Sequence, residues 1–213
     1  EGDRIDIALL HEMIELLLYQ PLKQGDVNPV GHRLVGRFKT LSEILNAPYE
    51  ALLKIEGINE ATATNIKFVS QLAKEYLKDY FNGKKQQLLS SDDFGEYLIP
   101  HFVGEPNECV YVINLTNDFG IINCAKLHEG TVNTAEIVSR KLITWVALNN
   151  TAFVVIGHNH PSGSAAPSQM DIKTTKNLIK AMSMVGVKMI DHIVVAGREY
   201  ASIASQMDFK EYY

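Results

Sequence analysis

Apolar residues recur every three to four positions in the first part of the chain, which is the spacing of an amphipathic helix. One such run begins near Ile5, and Pro21 ends it because proline cannot continue a helix. Thr40 or Ser42 fits the N-cap of a later helix. Further helices are predicted at residues 30–38, 48–54 and 60–81, and Asn82-Gly83 closes the last one. This part is therefore predicted to be all-helical.

The second part changes to short β-branched and apolar runs between helices. Strands are predicted at Glu108–Leu115, Ile121–Leu127, Phe153–His160, Lys188–Ala196 and Glu199–Ala204. Helices are predicted at residues 91–102, 139–148 and 168–184. Strands mixed with helices of this length predict an α/β sandwich in which helices cover a central sheet. The predicted organisation is a helical domain at residues 1–84, a linker at 85–90 and the α/β domain at 91–213.

The net charge of −5 excludes a protein that holds DNA through its surface field alone, since such a protein is basic. No apolar stretch reaches the roughly 18 residues that a membrane helix needs. No charged segment followed by an apolar one marks a signal peptide. Cys109 and Cys124 lie in apolar runs without CxxC spacing, which favours buried, reduced thiols. The sequence thus predicts a cytoplasmic protein, and it carries no signal for the oligomeric state.

Two histidines close the third predicted strand, in Gly157-His158-Asn159-His160-Pro161. Side chains two positions apart on a strand share one face, so the two imidazoles are expected side by side. Pro161 and Gly163 then turn the chain, and Asp171 lies in the first turn of the next helix. A loop that folds back brings that carboxylate to the third corner of a metal site. Two His and one Asp leave a fourth position for water, as in catalytic zinc sites, and zinc lowers the pKa of that water to roughly 7.

Ser168 and Asp171 have a second interpretation, because Ser-x-x-Asp at the start of a helix also forms a capping box. In that interpretation Asp171 only stabilises the helix N-terminus. The two interpretations are compatible, since a capped first turn also holds Asp171 in place for a metal ion.

A hydrolase site also needs a base that takes the proton of the metal-bound water and delivers it to the leaving amine. Glu108 fits this role because it stands at the start of an otherwise apolar strand, where an unpaired charge is costly. The residues alone therefore predict a metal site made by His158, His160 and Asp171, with Zn²⁺ as the cofactor and Glu108 as the base.

These residues resemble the JAMM signature of the JAB/MPN metalloprotease superfamily, which is His158-x-His160, seven residues, Ser168, two residues and Asp171. The longer pattern HNHPSG…PSxxD, with residues 191–195 (DHIVV) later in the chain, resembles the bacterial RadC family, and residues 129–133 (EGTVN) fit as well. The resemblance covers residues 90–205 and, more weakly, the helical part. Four fixed polar residues at three fixed intervals rarely arise together by chance.

The resemblance implies a JAB/MPN-like mixed sheet flanked by helices, one zinc ion, and hydrolysis of a peptide or isopeptide bond in a peptide or protein substrate. His158, His160 and Asp171 match the zinc ligands, and Ser168 matches the serine that hydrogen-bonds the developing oxyanion. Glu108 matches the family's glutamate by its position on the first strand. One segment departs from the family's pattern. Val138-Ser139-Arg140-Lys141 stands where His-Pro-Arg-Glu is usual, which leaves open what this segment recognises.

The stretch Leu53-x-Ile55-x-Gly57-Ile58-Asn59 resembles a helix-hairpin-helix motif, whose turn presents backbone amides to a DNA phosphate at a helix N-terminus. Asn59 replaces the usual second glycine, and asparagine tolerates a left-handed backbone better than most residues. Residues 1–90 hold 11 basic and 12 acidic side chains, so no basic field surrounds the turn. Weak DNA binding and a compact helical bundle or docking module both stay open for this part.

Three functions follow, in order of preference. The first is a zinc-dependent peptidase or isopeptidase, the second a DNA repair or recombination factor whose metal domain is a nuclease or a platform, and the third a pseudo-enzyme that keeps the fold for protein binding. The complete set of ligands, base and serine favours the first. His192 has no partner at metal spacing, and a satisfied core histidine is favoured for it over a contact with the zinc ligands.

Overall fold

The computed structural model describes residues 7–19, 27–82, 87–130, 135–161 and 163–212. Its contacts divide the chain into two compact units, Glu1–Tyr76 and Leu77–Tyr213. The predicted domain limits at residues 84 and 91 stay predictions. Some positions used by the sequence predictions lie outside the described residues, namely Ile5, Pro21, residues 83–86, residues 131–133 and Ser162.

The first unit is helical, as the sequence predicts, with one apolar core. Its helices are α1 (Ile7–Tyr19), α2 (Asn28–Phe38), α3 (Leu41–Asn46), α4 (Tyr49–Leu53) and the long α5 (Glu60–Asn82), which continues into the second unit. Thr40, and not Ser42, caps α3, since its side chain accepts a hydrogen bond from the Glu43 amide at 3.1 Å. The core is filled by fully buried aliphatic side chains, among them Ile14, Leu18, Leu34, Ile44, Leu52 and Ile66.

The second unit is a five-stranded mixed sheet with helices on both faces. Its elements are α6 (Ser91–Phe102), β1 (Cys109–Leu115), β2 (Ile121–Glu129), α7 (Ala135–Leu148), β3 (Phe153–Asn159), α8 (Gln169–Met184), β4 (Lys188–Ala196), β5 (Glu199–Ser202) and a 3₁₀ turn (Phe209–Tyr212). The strand order is β2-β1-β3-β4-β5. Only β3 and β4 pair in parallel, and the other neighbours are antiparallel. The α/β fold class with a mixed, helix-flanked sheet is therefore confirmed.

Alternate residues of the strands enter two separate cores, because successive side chains point to opposite faces of a sheet. Val110 and Ile156 pack with residues of α7 and α8 on one face. Tyr111 and Val155 pack with residues of α6 on the other face. Gly157 allows α6 to approach β3 closely, since a Cβ there would lie 2.6 Å from Leu98 Cδ1. The packing of α6 thereby holds the end of β3, where the two histidines stand.

The strand bounds differ from the predicted ones by one or two residues at the ends that matter most. Glu108 precedes β1, and His160 follows β3, although the His160 amide still donates to the Val195 carbonyl at 2.8 Å. Among the described residues, no helix has the length and apolar character needed to span a bilayer. Cys109 and Cys124 are both free thiols.

Candidate metal centre

The site lies at the C-terminal end of β3. His158 in this strand and His160 directly after it place two imidazoles on the face of the sheet that α8 covers. His158 and His160 are two positions apart, and their ring centroids lie 4.8 Å from each other. Strand alternation puts them on one face, as the sequence predicts. His158 is buried, with 3% of its surface exposed, and His160 is half-buried.

A capping box holds the third group of the site. The Ser168 hydroxyl accepts a hydrogen bond from the Asp171 amide at 3.1 Å, and Asp171 Oδ2 accepts one from the Ser168 amide at 2.7 Å. The two interpretations of Ser-x-x-Asp therefore coexist in the structure, because the same carboxylate that closes the box also faces the histidines. Asp171 Oδ1 lies 3.2 Å from His158 Nε2, and Oδ2 lies 3.5 Å from His160 Nε2.

The three side chains form a compact donor set. The Nε2 atoms of His158 and His160 are 3.0 Å apart, and each of the three residues offers one atom within 4.8 Å of the other two. The structure thus brings together the three residues that the sequence proposes as zinc ligands, although the histidines lie at the end of β3 and Asp171 lies in the first turn of α8.

When the imidazoles are neutral, hydrogen bonds outside this set determine which nitrogen of each ring carries the proton. His160 Nδ1 lies 2.8 Å from the Ser164 carbonyl oxygen, which only accepts, so His160 Nδ1 is the donor and Nε2 keeps its lone pair. The Thr175 hydroxyl has a single proton, which it donates to the Asp171 carbonyl oxygen at 2.7 Å. It therefore accepts from His192 Nδ1 at 2.6 Å.

That assignment continues to His158. With its proton on Nδ1, neutral His192 accepts through Nε2, and His158 Nδ1 donates to it at 2.8 Å. His158 Nε2 is then left with its lone pair. Both Nε2 atoms consequently face the same point as bases, which is the state that a metal-ligating imidazole requires.

His192 is the residue that sequence reasoning placed incompletely. It is buried, as predicted, with 3% exposure, but it also contacts His158 directly. The favoured interpretation, a core histidine with no contact to the metal set, is thus corrected. One sequence signal pointed to this relay, since Thr175 follows Asp171 by one helical turn, whereas the position of His192 beside Ile156 is visible only in the sheet.

The charges of the site follow from burial and hydrogen bonding. Burial raises the pKa of Asp171, but the adjacent His158 ring and the hydrogen bonds with Ser168 outweigh that effect, and the pKa ends well below its usual range. Burial, and then the nearby His158, hold the pKa of His192 well below its usual value. The site therefore pairs an ionised carboxylate with a neutral His192.

The other two predicted site residues lie at the rim of this donor set. Glu108 is half-buried, directly before β1, and it is not a member of the three-residue group among the described residues. Since Val110 pairs with His158 in antiparallel register, continuing that register by two residues sets Glu108 opposite His160 and on the same face. Ser168 is exposed, and its hydroxyl oxygen accepts the Asp171 amide in the capping box.

The segment that departs from the family's pattern lies in α7. Val138 is buried in the core beside that helix, and the Lys141 ammonium donates to the Leu127 carbonyl of β2 at 3.1 Å. Val138 and Lys141 thus both make contacts within the second unit, one in its core and one with strand β2.

A second cluster, Glu105 with Cys109 and Glu129, already binds the ammonium group of Lys126. Lys126 Nζ lies 2.8 Å from Glu105 Oε2 and 3.1 Å from Glu129 Oε2. Burial raises the pKa of the Cys109 thiol to about 11, so the thiol stays protonated at neutral pH. This group is explained as an ion-pair network.

The hairpin turn of the first unit is formed, but its helix start is already occupied. Gly57 has φ +90°, and a Cβ there would lie 2.7 Å from Val30 Cγ2, so glycine is required. Asn59 Oδ1 accepts from the Thr62 amide at 2.8 Å and from the Thr62 hydroxyl at 2.9 Å. The side chain that replaces the second glycine thus takes an amide at the start of α5.

A family model described as "RadC-like JAB domain" matches residues 88–208 of this chain. The match covers more than half of the chain and includes every strand of the sheet and all the residues of the donor set.

Proposed function

This chain belongs to the RadC family of the JAB/MPN superfamily, and on that premise we propose that it is a zinc-dependent hydrolase of peptide or isopeptide bonds. The observation that carries the proposal is the convergence of two imidazole Nε2 atoms and one carboxylate within 4.8 Å. Two imidazole lone pairs facing each other at 3.0 Å repel, and a divalent cation between them turns that repulsion into ligation.

The donor set fits zinc on its chemistry. Nitrogen and oxygen ligands at about 2.0–2.2 Å suit this ion, and three protein ligands leave one coordination position open, as in catalytic sites. The outer hydrogen bonds fit as well, since metal-bound histidines generally donate their second nitrogen to a fixed acceptor. Here His192 and the Ser164 carbonyl are those acceptors.

Zinc, when bound here, supplies a Lewis acid and lowers the pKa of water to roughly 7. Glu108 would accept the proton of the attacking water and pass it to the amine that leaves when the C–N bond breaks. Ser168 would donate its hydroxyl proton to the oxygen of the attacked carbonyl, where negative charge develops. The capping box favours this role, because the hydrogen bond from the Asp171 amide holds the serine oxygen in place.

A peptide or protein substrate is part of the proposal, because hydrolysis of an amide bond uses all five residues. We place the site of action in the cytoplasm, where thiols such as Cys109 and Cys124 stay reduced.

The proposal is tested by metal analysis followed by hydrolysis. The purified chain, loaded with zinc, is expected to hold about one ion under native mass spectrometry. A library of internally quenched peptides then probes cleavage. Glu108→Gln is the matched variant, since it keeps the shape of the side chain and removes the base. It should keep zinc and lose hydrolysis, whereas His158→Ala should lose both.

Failure of the folded wild-type chain to bind zinc would discard the proposal. Equal hydrolysis by the wild-type and Glu108→Gln proteins at equal zinc content would remove Glu108 from the mechanism and leave the metal site standing.

A further inference from the structure

Asn159 stands between the two histidines of the donor set but points away from them. Successive side chains of a strand alternate in direction, so Asn159 faces the side of the sheet that α6 covers. It is buried, with 5% of its surface exposed. A buried carboxamide is costly unless its donor and acceptor are both used.

Both polar atoms of Asn159 are used, on the strand next to it. Oδ1 accepts a hydrogen bond from the Cys109 amide at 2.7 Å. Nδ2 donates to the Asn107 carbonyl at 3.1 Å. These two backbone groups lie on either side of Glu108.

The two contacts grip both peptide groups that flank the Glu108 α-carbon. The group before it is held through the Asn107 carbonyl, and the group after it through the Cys109 amide. The same second group is also held through its carbonyl, because Glu108 O accepts from the Gly130 amide at 2.8 Å. With both peptide planes fixed, the backbone rotations at Glu108 are fixed, and so is the direction of its Cα–Cβ bond.

The position of Asn159 in the register explains why a side chain is needed there. The β1–β3 ladder ends at the pair Val110–His158. Asn159 lies opposite Cys109, one step beyond, where the Cys109 amide is fully buried. The carboxamide replaces the missing backbone partner. Aspartate would offer no donor to the Asn107 carbonyl, and alanine would offer neither group.

We propose that Asn159 is a positioning residue that locks Glu108 to the strand carrying His158 and His160, so that base and metal ligands keep one geometry. The inference rests on the proposed function for the role of Glu108. The backbone contacts themselves do not depend on it, and this separates the two in an experiment.

The first measurement is hydrogen exchange in the metal-free protein. Asn159→Ala should speed exchange of the Cys109 amide roughly tenfold, because its hydrogen bond is lost. Asn114→Ala is the matched control. Asn114 is a fully buried asparagine near the other end of β1, the strand that begins with Cys109, and its side chain donates to Asn123. Its loss should leave exchange at Cys109 unchanged.

The second measurement is the visible absorption spectrum of the Co²⁺-loaded protein, which responds to the ligands and to the groups bonded to them. Asn159→Ala should shift the spectrum in the direction that Glu108→Gln does, and Asn114→Ala should leave it as in wild type. The double variant Glu108→Gln/Asn159→Ala should give the spectrum of Glu108→Gln alone, since Asn159 acts through Glu108.

A wild-type spectrum in Asn159→Ala, or a double variant that differs from Glu108→Gln, would overturn the inference. If Asn159→Ala does not fold, Asn159→Asp replaces it, because it keeps the acceptor for the Cys109 amide. Exchange at Cys109 should then stay slow while the Co²⁺ spectrum still shifts, and faster exchange contradicts the contact. A wild-type chain that binds no Co²⁺ would instead count against the proposed function.

Discussion

Helices α5 and α8 both begin with side chains that cap the helix N-terminus, but only the capping side chains of α8 belong to the candidate metal centre. At α8, Ser168 takes the Asp171 amide, and the Asp171 carboxylate closes the box on the Ser168 amide. At α5, Asn59 takes the Thr62 amide and the Thr62 hydroxyl. Both caps satisfy donors that every helix start leaves unpaired.

The difference lies in what faces each cap. Asp171 has two oxygens, and after capping it still presents Oδ1 to His158 and Oδ2 to His160. Asn59 directs its one acceptor oxygen back onto its own helix. A cap residue therefore gains a function when it keeps an unused atom and when neighbouring strands bring partners to that atom.

The largest expected effect separates these two caps by metal binding. Asp171→Asn keeps a carbonyl oxygen for the Ser168 amide but removes the anionic ligand. Zinc affinity should fall by more than the roughly 10- to 100-fold that loss of an outer hydrogen bond costs. Asn59→Ala, which removes a cap without touching the donor set, should keep the wild-type zinc content. Competition against a fluorescent zinc chelator measures both, and tight binding by Asp171→Asn would contradict the proposed ligand set.

The next effect breaks the relay behind His158. Thr175→Val removes the hydroxyl that accepts from His192 and donates to the Asp171 carbonyl, with almost no change in volume. Zinc affinity should drop roughly 10- to 100-fold, because the tautomer of His158 is no longer fixed. Thr174→Val is the control, since Thr174 is also buried and is the preceding residue on the same helix. Equal affinities in the two variants would show that the relay does not reach the metal.

The sequence predicts most of the fold because its signals are local. Periodicity locates the helices and strands, and the predicted β4 bounds, Lys188–Ala196, are those of the structure. The bringing together of His158, His160 and Asp171 is also foreseeable, since strand alternation and a short turn dictate it. His192 and Asn159 are different, because their roles depend on which strand lies beside which. That order is a property of the sheet and leaves no fixed interval along the chain.

A smaller effect concerns the metal-free site and pH. An unfolded histidine has a pKa of about 6.5, while burial and His158 hold the pKa of folded His192 well below that. Below about pH 6.5 the unfolded chain therefore binds a proton that the folded chain does not. The free energy of unfolding should fall with falling pH in this window, by at most about 1.4 kcal/mol per pH unit for one group.

Urea unfolding of the metal-free protein at several pH values measures that slope. His192→Asn should flatten it between about pH 5 and 6.5. Asp171 acts in a separate, more acidic window: its lowered pKa contributes stability above about pH 4, and that stability is lost as the pH falls further. A slope unchanged by His192→Asn would contradict a neutral, buried His192.

The smallest effect returns to the cap of α5 and to the turn before it. Asn59→Ala should cost about 1 kcal/mol of stability, whereas Asn59→Gly should cost only a few tenths, because glycine suits an N-cap without using its side chain. Urea unfolding compares the two.

Asn59→Gly also restores the second glycine of the hairpin and frees the Thr62 amide that Asn59 now holds. If the turn is a phosphate site blocked by Asn59, this variant binds duplex DNA more tightly than wild type at low salt. The DNA affinity of this variant should depend on salt no more steeply than that of wild type, because a backbone amide adds no cation that displaces counterions. Equal DNA affinity in both proteins would instead favour a helical bundle whose cap serves stability alone.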